Sequence, residues 1–384
     1  MAFEHYVRSG QKLLRCGYTT GTCAALAAAG AARLLLTGTV PSHVSLMTKK
    51  GLEVDVPMDA WGREDGRAWC AVVKDAGDDA DVTHGTQIVA EVSLSDTPGI
   101  TIDGGKGVGR VTKPGLDQPV GASAINHVPR EMIAQAVTQV CEELCHEGGL
   151  TVIVSVPEGE RLAQKTFNPH LGVVGGISIL GTSGIVEPMS EQAIVATIAV
   201  ELRQAALSSR DLILTPGNYG QTFLRQHGMD TRGVPIVKSS NFIGESLDIA
   251  ASEHFERVLL VGHIGKLVKL AGGIMNTHSK WADCRTELLC AHAAICGAGQ
   301  AVCERLLHAA TTDACIEILD EAGLREPVLD RILDAIQQHL DHRAAEHYRI
   351  GAVLFSNVYG LLGRTKTAEE MIEQWNREKE FFME

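Results

Sequence analysis

Aromatic residues are scarce in this chain, with eight Phe, five Tyr and four Trp among 384 residues. Hydrophobic residues still make up 45% of it, so its cores must be built from Ala, Val, Ile and Leu. The length leaves room for two domains, each with a core of its own. No run approaches the ~18 apolar residues that span a bilayer. The opening MAFEHYVRSGQKLLR, interrupted by Glu4 and Arg8, has no apolar core of signal-peptide length, so a cytoplasmic location is expected. None of the ten cysteines falls in a CxxC pair or a zinc-finger spacing. Cys141 and Cys145 are one helical turn apart, and Cys284, Cys290, Cys296 and Cys303 fan around a helix, which predicts buried reduced thiols and no bound metal. Positive charge is also in deficit: 34 Lys and Arg against 47 Asp and Glu leave a net charge of -13. That excludes a nucleic-acid coat and an anionic membrane surface as partners.

What is present divides into two patterns. Up to about residue 160, short strand-like runs (Val44–Met47, Glu53–Val56, Cys70–Val73, Gln87–Leu94) alternate with Gly, Pro and Asp clusters. They are followed by a helical stretch at Pro129–His146 and a strand at Leu150–Val156, which together predict an α+β domain over 1–160. The segment Pro157–Gly176 has little periodicity and reads as the domain boundary. From Ile177 the pattern becomes strand, loop, helix. Strands are expected at Ile177–Leu180, Leu212–Thr215, Pro235–Lys238, Val258–Val261 and Ala352–Ser356, with helices such as Ser190–Ala206, Ile243–His254 and Asp283–Cys296 between them. That alternation predicts a Rossmann-like α/β domain with a mostly parallel sheet over 175–384, and hence a two-domain α/β protein.

Five segments carry the chemical interest. In Arg15–Ala25 (RCGYTTGTCAA), Thr19, Thr20 or Thr22 caps a helix that runs to about Leu36, and its N-terminus is either a plain cap or an anion site. Asp75, Asp78, Asp79 and Asp81, with His84, serve either as caps or as ligand contacts; their spacing does not match a calcium loop. Gly104–Gly115 carries Lys106, Arg110 and Lys113 on a glycine-rich loop, with Asn126, His127 and Arg130 nearby, and reads as a carboxylate cradle or as a solvated hairpin. Gly181, Thr182, Ser183 and Gly184 lie between a strand and a helix but lack the GxGxxG spacing, and no acid ends the Leu212–Thr215 strand; Glu187 is the nearest carboxylate. Finally, His263, Lys266, His278, Asp283 and Arg285 form a polar group between apolar stretches.

Five ordered blocks resemble the cobalt-precorrin-5B C1-methyltransferase family of the anaerobic cobalamin pathway. They are the Thr/Gly opening, VVKDAGDDADVT (72–83), GKGVGRVTKPGLDQPVGASAINHVPREM (105–132), GGISILGTSGIVEPMSEQAIVAT (175–197) and VGHIGKLVKLAGGIMNTHSKWADCRTE (261–287). The resemblance implies transfer of a methyl group from S-adenosylmethionine to C1 of cobalt-precorrin-5B, giving cobalt-precorrin-6A, with the corrin precursor as small-molecule partner. Transient contact with neighbouring pathway enzymes is left open. Under this reading Gly181, Thr182, Ser183, Gly184 and Glu187 hold the donor, and His263 or Asp283 moves a proton. Thr19, Thr20, Thr22, Lys106, Arg110, Lys113, Arg130, Lys266, His278 and Arg285 meet the substrate, and no protein-bound metal is expected. Ala80 stands where the family's Asp-rich loop has proline. Two other classes stay in view: a non-catalytic tetrapyrrole carrier, and a nicotinamide-dependent reductase.

Overall fold

The Ala/Leu run beyond Thr22 forms the helix Thr20–Thr37, capped by the Thr19 side chain and closed by Gly38 in the left-handed conformation. Fifteen of its 18 residues are buried, because strands Arg67–Val73 and Gln87–Ser95 pack against it together with the helix His127–Glu143. A helix that is apolar all round belongs in a core. By length and composition this helix would also reach across a membrane, contrary to the expectation that no run does. Its Ala, Gly and Thr residues conceal it from a search for large apolar side chains.

The computed structural model describes residues 3–226 and 233–383. The chain divides into two units, Met1–Glu191 and Gln192–Glu384.

The sheet of the first unit runs in the order Ala60–Glu64, Arg67–Val73, Gln87–Ser95, Gly149–Ser155, Ile100–Gly104. Its neighbours are antiparallel except for the last pair, which is parallel. Alternate residues (Cys70 and Val72, Ala90 and Val92, Val152 and Val154) are fully buried, as one covered face of a sheet requires. The stretch expected to be a domain boundary folds into this unit instead. Val173–Val174 pairs with Arg110–Val111, and Gly176–Ile177 runs parallel to Gly107–Val108. The division therefore falls about 15 residues past the expected boundary, because residues whose sequence lacks periodicity are held here by pairing with distant loops. Ile177–Leu180 is accordingly not the opening strand of the parallel sheet.

That sheet, in the second unit, has the order Ile236–Lys238, Asp211–Thr215, Arg257–His263, Arg349–Ser356, Gly360–Arg364. The first four strands are parallel and the last is antiparallel. Both faces are covered. Leu212, Leu214, Val258 and Leu260 join one apolar cluster, while Ile213, Leu259, Val261 and Phe355 join another. The near-continuous apolar runs of these strands follow from burial on both faces. In chain order the first strand lies second in the sheet. Connections therefore leave in opposite directions from Asp211–Thr215 and Arg257–His263, and the crevice beyond their carboxyl ends is where open α/β sheets place ligands.

Candidate functional site

The Thr-rich turn is a fastener. Thr20 Oγ1 accepts from the Leu180 N–H (2.9 Å) and donates to the Leu180 carbonyl (3.2 Å), which also accepts from the Gly21 N–H (3.1 Å). The Gly184 carbonyl accepts from the Thr22 hydroxyl (2.6 Å) and from the Thr19 N–H (3.0 Å). All three threonines are buried. Carbonyls of the 180–184 loop thus take the Thr19 and Gly21 N–H groups at the helix N-terminus. The same contacts tie the expected donor loop, Gly181, Thr182, Ser183 and Gly184, to the start of the first helix. Gly181 has φ +135°, and a Cβ on it would lie 2.4 Å from Thr19 Oγ1. The Ser183 carbonyl accepts from the Lys50 N–H (3.0 Å), and Glu187 pairs with Lys50 Nζ.

The glycine-rich cationic loop is likewise filled by its own chain. A Cβ on Gly107 would meet the Val156 carbonyl at 1.9 Å, and one on Gly109 would meet Val173 at 2.3 Å. The Arg110 fork grips Asp103 (2.9 and 3.0 Å). Burial works against the Asp103 charge, but Arg110 and the Gly104 N–H hold its carboxyl below the usual range. Arg130 donates to the carbonyls of Ile125 and Ile102 and to Ser123 Oγ, so it braces the loop. Lys113 Nζ donates to the His170 carbonyl (3.2 Å). Lys106 is exposed with no side-chain partner among the described residues. In the Asp cluster, Asp75 takes the Arg15 fork (2.6 and 2.8 Å), which lowers its pKa, and Asp78 accepts from the Arg15 N–H (2.7 Å). Asp79 accepts from the Met189 N–H. Asp81 accepts from Thr83 and from Nζ of Lys74 (2.6 Å), a lysine only 1% exposed.

The carboxyl edge of the second sheet is built differently. Strand Asp211–Thr215 ends in Pro216–Gly217 and turns into the helix Asn218–Gln226. A Cβ on Gly220 would meet the Val261 carbonyl at 2.8 Å and the Thr215 side chain at 2.9 Å, whereas one on Gly217 would meet nothing within 4 Å. Gly220 therefore seats the helix on the sheet, and Gly217 leaves its backbone open to approach. Thr215 Oγ1 and Ser239 Oγ, at the ends of adjacent strands, are buried without hydrogen-bond partners among the described residues. Lys266 Nζ donates to the Pro216 carbonyl (2.8 Å) and to Asn241 Oδ1 (2.9 Å). Burial and the Lys269 charge lower its pKa. His263, ending the central strand, accepts the Gly265 N–H on Nδ1 (3.0 Å) and packs edge-on to Phe355. That contact puts the ring proton on Nε2, and burial, opposed by Asp313, keeps the ring neutral by lowering its pKa.

Asp283 is gripped by the Arg285 fork (2.5 and 2.9 Å), which holds its carboxyl below the usual range. Both residues line a pocket with Glu287 and Thr312. His278 is exposed and accepts from the Lys280 N–H. Among the described residues no three His, Cys, Asp or Glu side chains converge as a metal site would require.

The sequence pattern of the CbiD family matches residues 7–188, and that of the family's C-terminal domain matches residues 276–378. The cobalt-precorrin-5B C(1)-methyltransferase of Ruminiclostridium cellulolyticum is 46% identical over 358 residues, 92% of this chain and 92% of its own. The chain belongs to the CbiD family of methyltransferases. The protein of the same name from Photorhabdus laumondii is 42% identical over 94% of this chain and 96% of its own. The crystal structure of cobalamin biosynthesis protein (cbiD) from Archaeoglobus fulgidus is 30% identical and covers 70% of this chain and 83% of its own, with a TM-score of 0.37.

For this methyltransferase, the fold brings together only part of the expected set. His263 and Lys266 meet at the sheet edge, while Arg110 and Arg130 are spent inside the first unit. Thr215, Gly217, Ser239 and Asn241 were not picked out from sequence. The signal is there in the run LILTPGNYG, a buried strand followed by a Gly-x-x-Gly turn, but a sequence pattern that opens the sheet at Ile177–Leu180 draws attention to the wrong turn.

Proposed function

We propose that this enzyme methylates C1 of cobalt-precorrin-5B, with S-adenosylmethionine as donor, to give cobalt-precorrin-6A and S-adenosylhomocysteine. The observation that carries the substrate is that relatives 46% and 41% identical over nine-tenths of the chain bear that name. The donor's place rests on the second unit, which we read as a Rossmann-like domain following a separate α+β domain. Two orphaned buried hydroxyls, an open glycine turn and a helix N-terminus at one sheet edge fit a polar small molecule better than they fit a closed core.

When bound, the donor supplies an electrophilic methyl group, and the nucleophile is the substrate's own carbon. The chain need offer no covalent nucleophile. Its work is to hold, orient and dry the reactants, and positioning of this kind contributes several kcal/mol, about 7–11 at best. At the proposed donor site Gly217 and the first turn of the Asn218–Gln226 helix present N–H groups, and Thr215 and Ser239 present hydroxyls. His263 offers an N–H at Nε2, so it serves as a hydrogen-bond donor and not as a base. The Arg285 fork makes Asp283 a weak base. Lys106, Lys266 and His278 remain candidates for substrate carboxylates, because no carboxylate side chain occupies them among the described residues.

The test is incubation with methyl-labelled S-adenosylmethionine and cobalt-precorrin-5B, followed by location of the label. Label at C1 is expected. Label elsewhere, or binding of the ring without transfer as a carrier would show, overturns the reading.

A further inference from the structure

The cation of Lys266 has no counter-charge. Its ammonium group has three donors and no acceptor capacity, and the two partners it finds, the Pro216 carbonyl and Asn241 Oδ1, are neutral. Among the described residues no carboxylate lies within ion-pair distance of it. Three other buried or partly buried cations are matched, although Arg130, like Lys266, finds only neutral acceptors among the described residues. Arg257 has Asp211 and Glu378, Lys74 has Asp81, and even Lys269 has Asp283 at 3.8 Å. A half-buried, unneutralised charge is costly unless something brings the opposite sign.

The surroundings say what that something must look like. Lys266 is tied to Pro216, the residue joining Thr215 to Gly217, so its ammonium sits against the turn that opens the Asn218–Gln226 helix. First-turn N–H groups of a helix have no partner within it and favour negative charge. The orphaned Thr215 and Ser239 hydroxyls lie at the same strand ends, and the open Gly217 lets a ligand reach the backbone. A single ammonium beside amide N–H groups and two hydroxyls suits a compact anion, carboxylate or phosphate, and of the two the proposed donor carries only a carboxylate.

We infer that Lys266, with the Gly217 turn, anchors the carboxylate of the donor's amino-acid end. This rests on the reading of that edge as the donor site. Lys266 is thereby removed from the ring-binding set and becomes the residue that distinguishes ligands with an amino-acid tail from those without one.

Calorimetry with two probes tests it: S-adenosylhomocysteine, which has the carboxylate, and 5′-methylthioadenosine, which lacks it. Asn241→Asp is the informative variant. It places a carboxylate where Asn241 Oδ1 now meets Lys266 Nζ at 2.9 Å, neutralising the lysine without changing side-chain size. Lys266→Met is the second, with its melting temperature measured alongside. Both variants should weaken S-adenosylhomocysteine by about 10- to 100-fold, the range of one charge-assisted contact, and change 5′-methylthioadenosine less than about threefold. Equal losses for both probes would make Lys266 a structural brace and overturn the inference, as would unchanged binding of both. Wild-type protein that binds neither probe would sink the donor reading itself, and this inference with it.

Discussion

Asp81→Asn is the substitution from which the first unit should suffer most for the least change in shape. Asn keeps the Oδ1 that accepts from the Thr83 N–H (2.8 Å) and hydroxyl (2.6 Å), so the local turn survives. What changes is the atom facing Lys74 Nζ, now at 2.6 Å, which turns from acceptor to donor. Lys74 is 1% exposed, and removing one member of a buried pair costs about 3–5 kcal/mol. Because the Asp81 side chain is 25% exposed, water reaches the pair from one side, and the low end, about 3 kcal/mol, is expected. The measurement is denaturant unfolding by fluorescence in a Trp281→Phe/Trp375→Phe background, which leaves only Trp61 and Trp69 of the first unit as reporters. Lys74→Met/Asp81→Asn should recover at least half of the loss, since neither charge is then stranded. A cost for Asp81→Asn below about 1 kcal/mol, or strict additivity of the two changes, would refute the claim that the core relies on this pair. The pH dependence has a definite sign. Burial raises the Asp81 pKa, but the Lys74 charge and the Thr83 bonds outweigh it, so the folded pKa is below 3.8. The contribution is therefore complete above the unfolded pKa and is lost as pH falls through the folded one.

Four further outcomes are expected. Gly181→Ala should cost about 2–4 kcal/mol, because the new methyl would strike Thr19, whereas Gly85→Ala, with positive φ and open space, should cost about 1; equal melting temperatures would refute the close-packing account. Arg110→Ala should lower stability by only about 0.2–1 kcal/mol, the worth of an exposed pair, and leave S-adenosylhomocysteine affinity unchanged by calorimetry; lost affinity would assign the loop to the donor instead of the substrate. His263 should titrate by NMR below its ordinary value of 6.5, so its contribution to stability is full above 6.5 and lost on acidification; a midpoint above 6.5 contradicts the neutral Nε2–H ring. A thiol reagent at pH 8 should modify exposed Cys145 before buried Cys23, whose thiol burial pushes up to about 12; early loss of Cys23 would contradict the buried helix.

Much of the architecture could be read from periodicity. The first helix and its Thr cap, the strands near 44, 53, 70, 87 and 150, and the parallel strands at 212, 236, 258 and 352 were all foreseen to within a few residues. Periodicity reports which face is buried, and these elements each bury a face. The site was less legible. A glycine in sequence says only that the backbone needs room there, and cannot say whether a ligand or another strand takes it. Gly107 gives its room to the Val156 carbonyl, whereas Gly217 keeps its own. The cations posed the same difficulty. Arg110 and Lys266 look alike as letters, but one has an aspartate seven residues back and the other only neutral oxygens.

The fastening of the first helix has a consequence for how the chain is made. Thr20 bonds to Leu180, 160 residues later, and the ribosome adds about 5–20 residues per second. An 18-residue apolar helix therefore waits on the order of 10–30 s before the loop that closes its end has been synthesised. During that interval it is the segment most exposed to aggregation or to capture by a chaperone. Nascent chains stalled before residue 180 should thus be held by chaperones, and those long enough for residues 180–184 to clear the tunnel released.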